Sequence, residues 1–321
     1  MPILKTLGDD FWSKAEDADL GLFARKTEDE ADKLIISSDI GRFPYYATTF
    51  TRLRQNLLDI IGPGSARLQL PHPSWIERGL YKKWKSHCDK SHQQKNTPSC
   101  RTSTAAQYLP PPNPRHFVDT WLRCLTPAPR GAKYLTLSYV WGPIQYFATL
   151  KQNLPMLQIP GALNDPAVWD RIPNTVKDAI QLTELLQERY LWTDALCIVQ
   201  DDDDMKHGQI NNMASIYANS NLTIIAQDGE HANHGLRGLR GISQPRRYES
   251  EVFPLSQRIK LVRYRTLPFA PIWARRGWTF QEDIFSARKI TFSGVEVFWE
   301  CGTTVLYENN WKSAILIFRL R

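Results

Sequence analysis

Residues 190–204 read YLWTDALCIVQDDDD, from Tyr190 to Asp204. Ten residues of mostly apolar, β-favouring character, among them Leu191, Trp192, Leu196, Cys197, Ile198 and Val199, give way at Gln200 to four consecutive aspartates. Continuous rather than alternating apolarity marks a strand covered on both faces, the usual state of a strand in a parallel sheet flanked by helices. The flanks fit. Upstream, Thr175 and Asp178 have the spacing of a capping box, and Val176, Ala179, Ile180, Thr183 and Leu186 fall along one helical face. Downstream, Met205, Ile210, Met213, Ile216 and Tyr217 recur at helical spacing before a second strand over 221–226. Alternating strands and helices predict an α/β fold with a mostly parallel sheet, whose ligands gather at the carboxyl ends of the strands.

Further out, Lys133 to Gly142 (KYLTLSYVWG) is expected to be another strand, delivering Ser138, Tyr139, Trp141 and Gly142 into a loop. Residues 143–172 read as a long irregular insertion, of the kind that in compact domains is usually functional or mobile. The segment 108–114 holds four prolines and reads as an extended linker. The expected organisation is an irregular, mainly helical N-terminal region over 1–130, a domain over 131–305 and a tail over 306–321. The closing WKSAILIFRLR does not resemble a domain ending and reads as a truncated tail. Past 226, Gly235, Gly238 and Gly241 recur every third residue with Arg237 and Arg240 between them, an arrangement suited to an anion or to a flexible surface turn. Residues 273–285 are expected to run into a helix near Gly277, followed by a hairpin over 288–301 that turns at Ser293 and Gly294.

The chain has 321 residues, 42% hydrophobic and 23% charged, as an ordinary globular protein does. The eleven tryptophans read mostly as core. No run approaches the roughly 18 apolar residues of a membrane span, and the first residues lack the apolar stretch of a signal peptide. Five widely spaced cysteines argue for reduced thiols rather than a disulfide framework, so the expected location is cytoplasmic. The net charge of +7 is uneven. Residues 235–289 hold twelve bases against four acids, a field that suits a nucleotide, a nucleic acid or an acidic protein face as well as a solvated surface. No nucleic-acid-binding motif accompanies it, so nucleic acid is not the expected partner.

Several chemistries are weighed and set aside. Cys88, His92 and Cys100, with His87 or His72 as a fourth, match no standard zinc spacing, and a helix end with a buried cysteine is preferred; no metal site is expected. Asp201–Asp204 suit a helix N-terminus better than magnesium. Cys197 reads as an inert core thiol rather than a nucleophile. No Gly-x-Ser-x-Gly or His-Glu-x-x-His motif is present.

Five ordered blocks together resemble the fungal heterokaryon incompatibility (HET) domain: YLTLSYVWG at 134–142, IPNTVKDAIQLTELL at 172–186, YLWTDALCIVQDD at 190–202, the Met213-x-x-Ile216-Tyr217 helix, and RRGWTFQED at 275–283. The resemblance implies a role in non-self recognition and programmed cell death after fusion of unlike fungal cells. The family is in turn distantly similar to Toll/interleukin-1 receptor (TIR) domains, some of which hydrolyse NAD, which implies a TIR-like, flavodoxin-like sheet. Those enzymes carry a glutamate a few residues after a tryptophan, and Glu282 follows Trp278 by four.

Cleaving the nicotinamide–ribose bond builds positive charge on the sugar, which a carboxylate stabilises. Glu282 is therefore the candidate catalytic residue for NAD as substrate, no other cofactor being implied, with Arg275 and Arg276 on the diphosphate and Trp278 against a ring. Ser138, Tyr139, Trp141, Gly142, Asp194, Arg237 and Arg240 complete the candidate substrate-binding set. Against this stand a helix-start glutamate paired with those arginines and an Asp194 of purely structural use. The alternative function is a non-catalytic module that acts by self-association and protein partners.

Overall fold

The computed structural model describes residues 71–92, 100, 103–143, 146–248, 271–293 and 296–308, and the backbone of strands at 23–25, 35–37, 58–61, 250–254, 260–264 and 315–316. The chain divides into two compact units: Met1–Leu70 with Tyr248–Pro268, and Pro71–Arg247 with Phe269–Arg321. The first unit holds a five-stranded sheet, in the order Phe23–Arg25, Ile35–Ser37, Leu58–Ile61, Lys260–Tyr264, Ser250–Pro254, with every neighbouring pair antiparallel.

The second unit is a nine-stranded mixed sheet with helices. Its strands are β1 (His116–Asp119), β2 (Cys124–Pro127), β3 (Tyr134–Ser138), β4 (Tyr190–Trp192), β5 (Leu222–Ala226), β6 (Arg288–Phe292), β7 (Val297–Cys301), β8 (Thr304–Tyr307) and β9 (Ile315–Leu316). They lie in the order β9-β8-β7-β6-β5-β3-β4-β1-β2. The main helices are α1 (Leu80–Ser91), α2 (Asn174–Leu185), α3 (Asp203–Ala218) and α4 (Gly277–Phe285).

The α/β class holds, but the sheet is not mostly parallel. Only the centre is: β6 with β5, β5 with β3, and β3 with β4. The five remaining pairings of this sheet are antiparallel. The reason is loop length. β1 to β2 and β6 to β7 are joined by a few residues, which can return the chain only in the opposite direction, whereas the central strands are joined through helices. The expected boundary at 130 falls inside this sheet, because β1 and β2 precede it. Among its described residues the N-terminal region, expected to be mainly helical, carries α1 and five short strands.

The strand expected over 190–199 is shorter than its apolarity suggests. It ends at Trp192, and Asp194–Cys197 form one helical turn whose Leu196 and Cys197 are wholly buried. A short apolar run reports burial without deciding between strand and helical turn. Asp202 does cap α3, its carboxylate accepting the Met205 amide. Thr175 and Asp178, by contrast, lie inside α2 rather than closing its N-terminus, and they hold the glycine-rich loop: Gly235 N donates to Thr175 Oγ1 at 3.0 Å and Leu236 N to Asp178 Oδ2 at 2.8 Å.

Helix α2 ends in a Schellman motif. Gln187 N donates to Glu184 O and Glu188 N to Thr183 O, with Gln187 in the left-handed region at φ 60°. That conformation strains any residue with a Cβ, and the Gln187 side chain is exposed. Gln187→Gly should therefore stabilise the chain by about 0.5–1 kcal/mol in urea unfolding, the relief of strain outweighing the added freedom of the unfolded chain.

Candidate functional site

Strand β3 ends at Ser138, which is fully buried. The Trp273 indole donates from Nε1 to Ser138 Oγ at 2.8 Å, and the Ser138 hydroxyl donates in turn to Glu282 Oε2. Trp273 comes from the 3-10 turn Ile272–Arg275 and Glu282 from α4, so one hydroxyl joins the sheet to both elements that follow it on this side. Helix α4 is fastened at further points. Thr279 Oγ1 donates to the Arg276 carbonyl at 2.8 Å and also bonds the Trp273 carbonyl. Ser286 Oγ bonds the Glu282 carbonyl at 2.5 Å and lies 2.6 Å from Thr223 Oγ1 on β5, which is 2.8 Å from Thr136 Oγ1 on β3. A ladder of buried hydroxyls therefore satisfies the polar atoms beneath the helix, where an unpaired group would be costly.

Beside Glu282 stands a second acid. Asp194 opens the turn after β4; its Oδ2 accepts from Trp141 Nε1 at 2.8 Å and its Oδ1 from the Ala195 amide at 2.9 Å. Burial pushes the Glu282 carboxyl up to about 8, the Asp194 charge adds to the rise, and Ser138 and Arg276 oppose it. Burial also raises Asp194, against the hydrogen bonds of Trp141 and Ala195. The Tyr139 hydroxyl is held well above its ordinary value by burial and by the Asp194 charge. Arg276 supplies the nearby positive charge, donating to the Tyr139 carbonyl at 3.4 Å. Displaced pKa values concentrated on adjacent acids are what functional sites have in common, although structural networks produce them too.

A family model described as "Heterokaryon incompatibility protein (HET)" matches residues 134–282, the span from the first residue of β3 to Glu282 itself. Over those residues the chain matches the HET domain. Searches of the curated proteins and of the solved structures return no match.

The matched segment thus brings together Ser138, Tyr139, Trp141, Asp194, Arg276 and Glu282 from three separated sequence blocks. Gly142 packs beside them: it sits at φ 81°, and a Cβ there would lie 2.5 Å from the Cβ of His231. Arg275 and Trp278 lie on the exposed side of the α4 entry, Trp278 half in solvent. Arg237 and Arg240 are engaged elsewhere, Arg237 donating to His234 at 3.2 Å and Arg240 lying over the Trp75 ring. The amides of Gly235 and Leu236 are taken by Thr175 and Asp178. Sequence reasoning missed Trp273. It resembled any other core tryptophan, and only the fold shows its indole aimed at Ser138.

The carboxyl of Glu282 has a clear thermodynamic consequence. An acid that is easier to protonate when folded stabilises the protein below its unfolded value and loses that contribution as pH rises through the folded one. For Glu282 the window runs from 4.5 to about 8. Asp178, raised by burial to about 7, acts in the same direction. Unfolding free energy should therefore fall from about pH 5 to about pH 8.5, at up to roughly 1.4 kcal/mol per pH unit for each group. Glu282→Gln should remove its share and be relatively more stable at the alkaline end, as urea titrations in an Asp178→Asn background would read.

Proposed function

We propose that this HET domain protein is a cell-death effector of fungal heterokaryon incompatibility and that it hydrolyses NAD at the nicotinamide–ribose bond. The observation carrying the reading is the pair of acids with raised pKa values, Glu282 and Asp194, in one largely buried polar cluster at the carboxyl ends of β3 and β4. The parallel strands lie in the order β4-β3-β5-β6, second-first-third-fourth along the chain, which is the order of flavodoxin-like doubly wound sheets and lends support to the TIR-like reading. In such sheets ligands bind where the order reverses, here between β3 and β5, and Ser138 terminates β3 on that side.

In this reading water adds to the ribose C1′ as the bond to the nicotinamide nitrogen breaks. Nicotinamide leaves neutral, and ADP-ribose and a proton are the other products. Glu282 as carboxylate offsets the positive charge that builds on the ribose, and Ser138 orients it. Arg275 and Arg276 face the diphosphate, Trp278 offers a ring surface, and Asp194 with the Tyr139–Gly142 segment shapes the ribose site. Glu282 is only 7% exposed, so admitting the nucleotide requires α4 or the Tyr139–Gly142 segment to move.

That same burial favours a second reading, a non-catalytic module. Glu282 already has a partner in Ser138, while Trp278, Phe280 and Ile284 of α4 are 50%, 42% and 43% exposed, an apolar surface that a second copy of this chain would cover. Purified protein incubated with NAD separates the two. The enzyme reading predicts nicotinamide release that rises with pH through about 8, as Glu282 ionises, and that falls at least 100-fold in Glu282→Gln. No release at any pH, including from clustered protein, would remove that reading and leave the module.

A further inference from the structure

The geometry points to a structural zinc site of the Cys3His type formed by Cys88, His92, Cys100 and Cys301. The candidate ligand atoms of these four residues all lie within 4.8 Å of one another. His92 Nδ1 is 3.4 Å from Cys100 Sγ and 3.5 Å from Cys301 Sγ. Tetrahedral zinc, with bonds of about 2.3 Å to sulfur and about 2.0–2.1 Å to nitrogen, would set such nitrogen–sulfur separations near 3.6 Å, so the ligands stand almost where the ion would hold them. Three soft sulfurs and one imidazole, with no carboxylate among them, select zinc over the hard cations. All three cysteines are buried and His92 partly so, which closes the site as structural zinc sites are closed.

Outer contacts fit as well. Thr303 Oγ1 lies 3.1 Å from Cys100 Sγ, where its hydroxyl would donate to a thiolate. The two histidines weighed as fourth ligands from sequence are used otherwise: His72 Nδ1 accepts the Ser74 and Trp75 amides, and His87 is exposed. The ligand that completes the set is Cys301, at the end of β7 and far along the chain, which is why the local spacing of Cys88, His92 and Cys100 matched no zinc pattern. Loading would displace three thiol protons, leave three thiolates and a neutral imidazole on the ion, and change no oxidation state.

All four ligands lie outside residues 134–282, the part matched by the family model. The ion would fasten the end of α1 and Cys100, which precede the matched segment, to the strand that follows it. Helix α1 is already seated there. Tyr81 lies against Phe292 with ring centroids 6.1 Å apart, and Asp89 accepts from Arg288 at 2.7 Å. The zinc would make the lead-in helix and the closing hairpin parts of one folding unit with the HET sheet.

The test uses the full chain purified under reducing conditions without chelator. Elemental analysis should find about one zinc per chain, and a chelator strong enough to strip it should lower the melting temperature. Cobalt exchanged into the wild-type chain should give the intense visible bands of a tetrahedral thiolate site, a readout that needs no variant to fold. Cys301→Ser and His92→Ala should lose the metal, His92→Cys should keep it with shifted cobalt bands, and His87→Ala should leave content and spectrum unchanged. Absence of zinc together with absence of a tetrahedral cobalt spectrum would overturn the proposal. So would a disulfide among Cys88, Cys100 and Cys301 in freshly isolated protein, or full metal content in both Cys301→Ser and His92→Ala.

Discussion

The hydrogen bond between the Ser138 hydroxyl and the Glu282 carboxyl is the constraint on which the rest of the arrangement around the central sheet depends. It joins the end of the first parallel strand to a helix 144 residues further on. The Trp273 indole donates to the same hydroxyl, so sheet, 3-10 turn and helix meet at one oxygen. The cost is a carboxyl taken out of water, and the protein meets it by shifting the proton equilibrium and by placing Arg276 nearby. Helix α4 is thus held by polar contacts with defined geometry as well as by apolar burial, which fixes its rotation over the sheet.

From that point the architecture follows. The parallel centre β6-β5-β3-β4 is buried on both faces, with all five residues of each of β3, β5 and β6 buried. Helices α2 and α3 connect its strands, and antiparallel strands extend it on either side. The carboxyl ends of β3 and β4 place Ser138 and Asp194 side by side, and the chain returns through α4 to add Glu282 and Arg276. Strand direction is what gathers these groups. Had the central strands been antiparallel, Ser138 and Asp194 would sit at opposite edges.

Much of this was legible in the sequence. The central strands announced themselves by continuous apolarity, α2 and α3 by their period, and the hairpin at 288–301 by its turn. The meeting of Ser138, Asp194 and Glu282 was reached through motif blocks and not through spacing, since no local pattern ties residue 138 to residue 282. What failed to show were the features set by long-range contact. β1 and β2 are short and of mixed polarity, and only the open edge beside β4 makes strands of them. The apolar run 193–199 became a helical turn and loop because Asp194 finds its partners in Trp141 and the Ala195 amide rather than in a ladder. Thr175 and Asp178 looked like a cap and instead clasp a loop some 60 residues downstream. Cys301 could not be joined to Cys88 and His92 until β7 was placed beside α1.

A double-mutant cycle between Ser138 and Glu282 tests this account most directly. Ser138→Ala, Glu282→Met and the double variant would be unfolded in urea near pH 6, where the carboxyl is protonated in the folded chain. If the bond anchors α4 to the sheet, the two substitutions are coupled by about 1–3 kcal/mol, the second costing little once the first is made. Costs that simply add, within about 0.5 kcal/mol, would contradict it and would mean that apolar burial alone holds the helix in place.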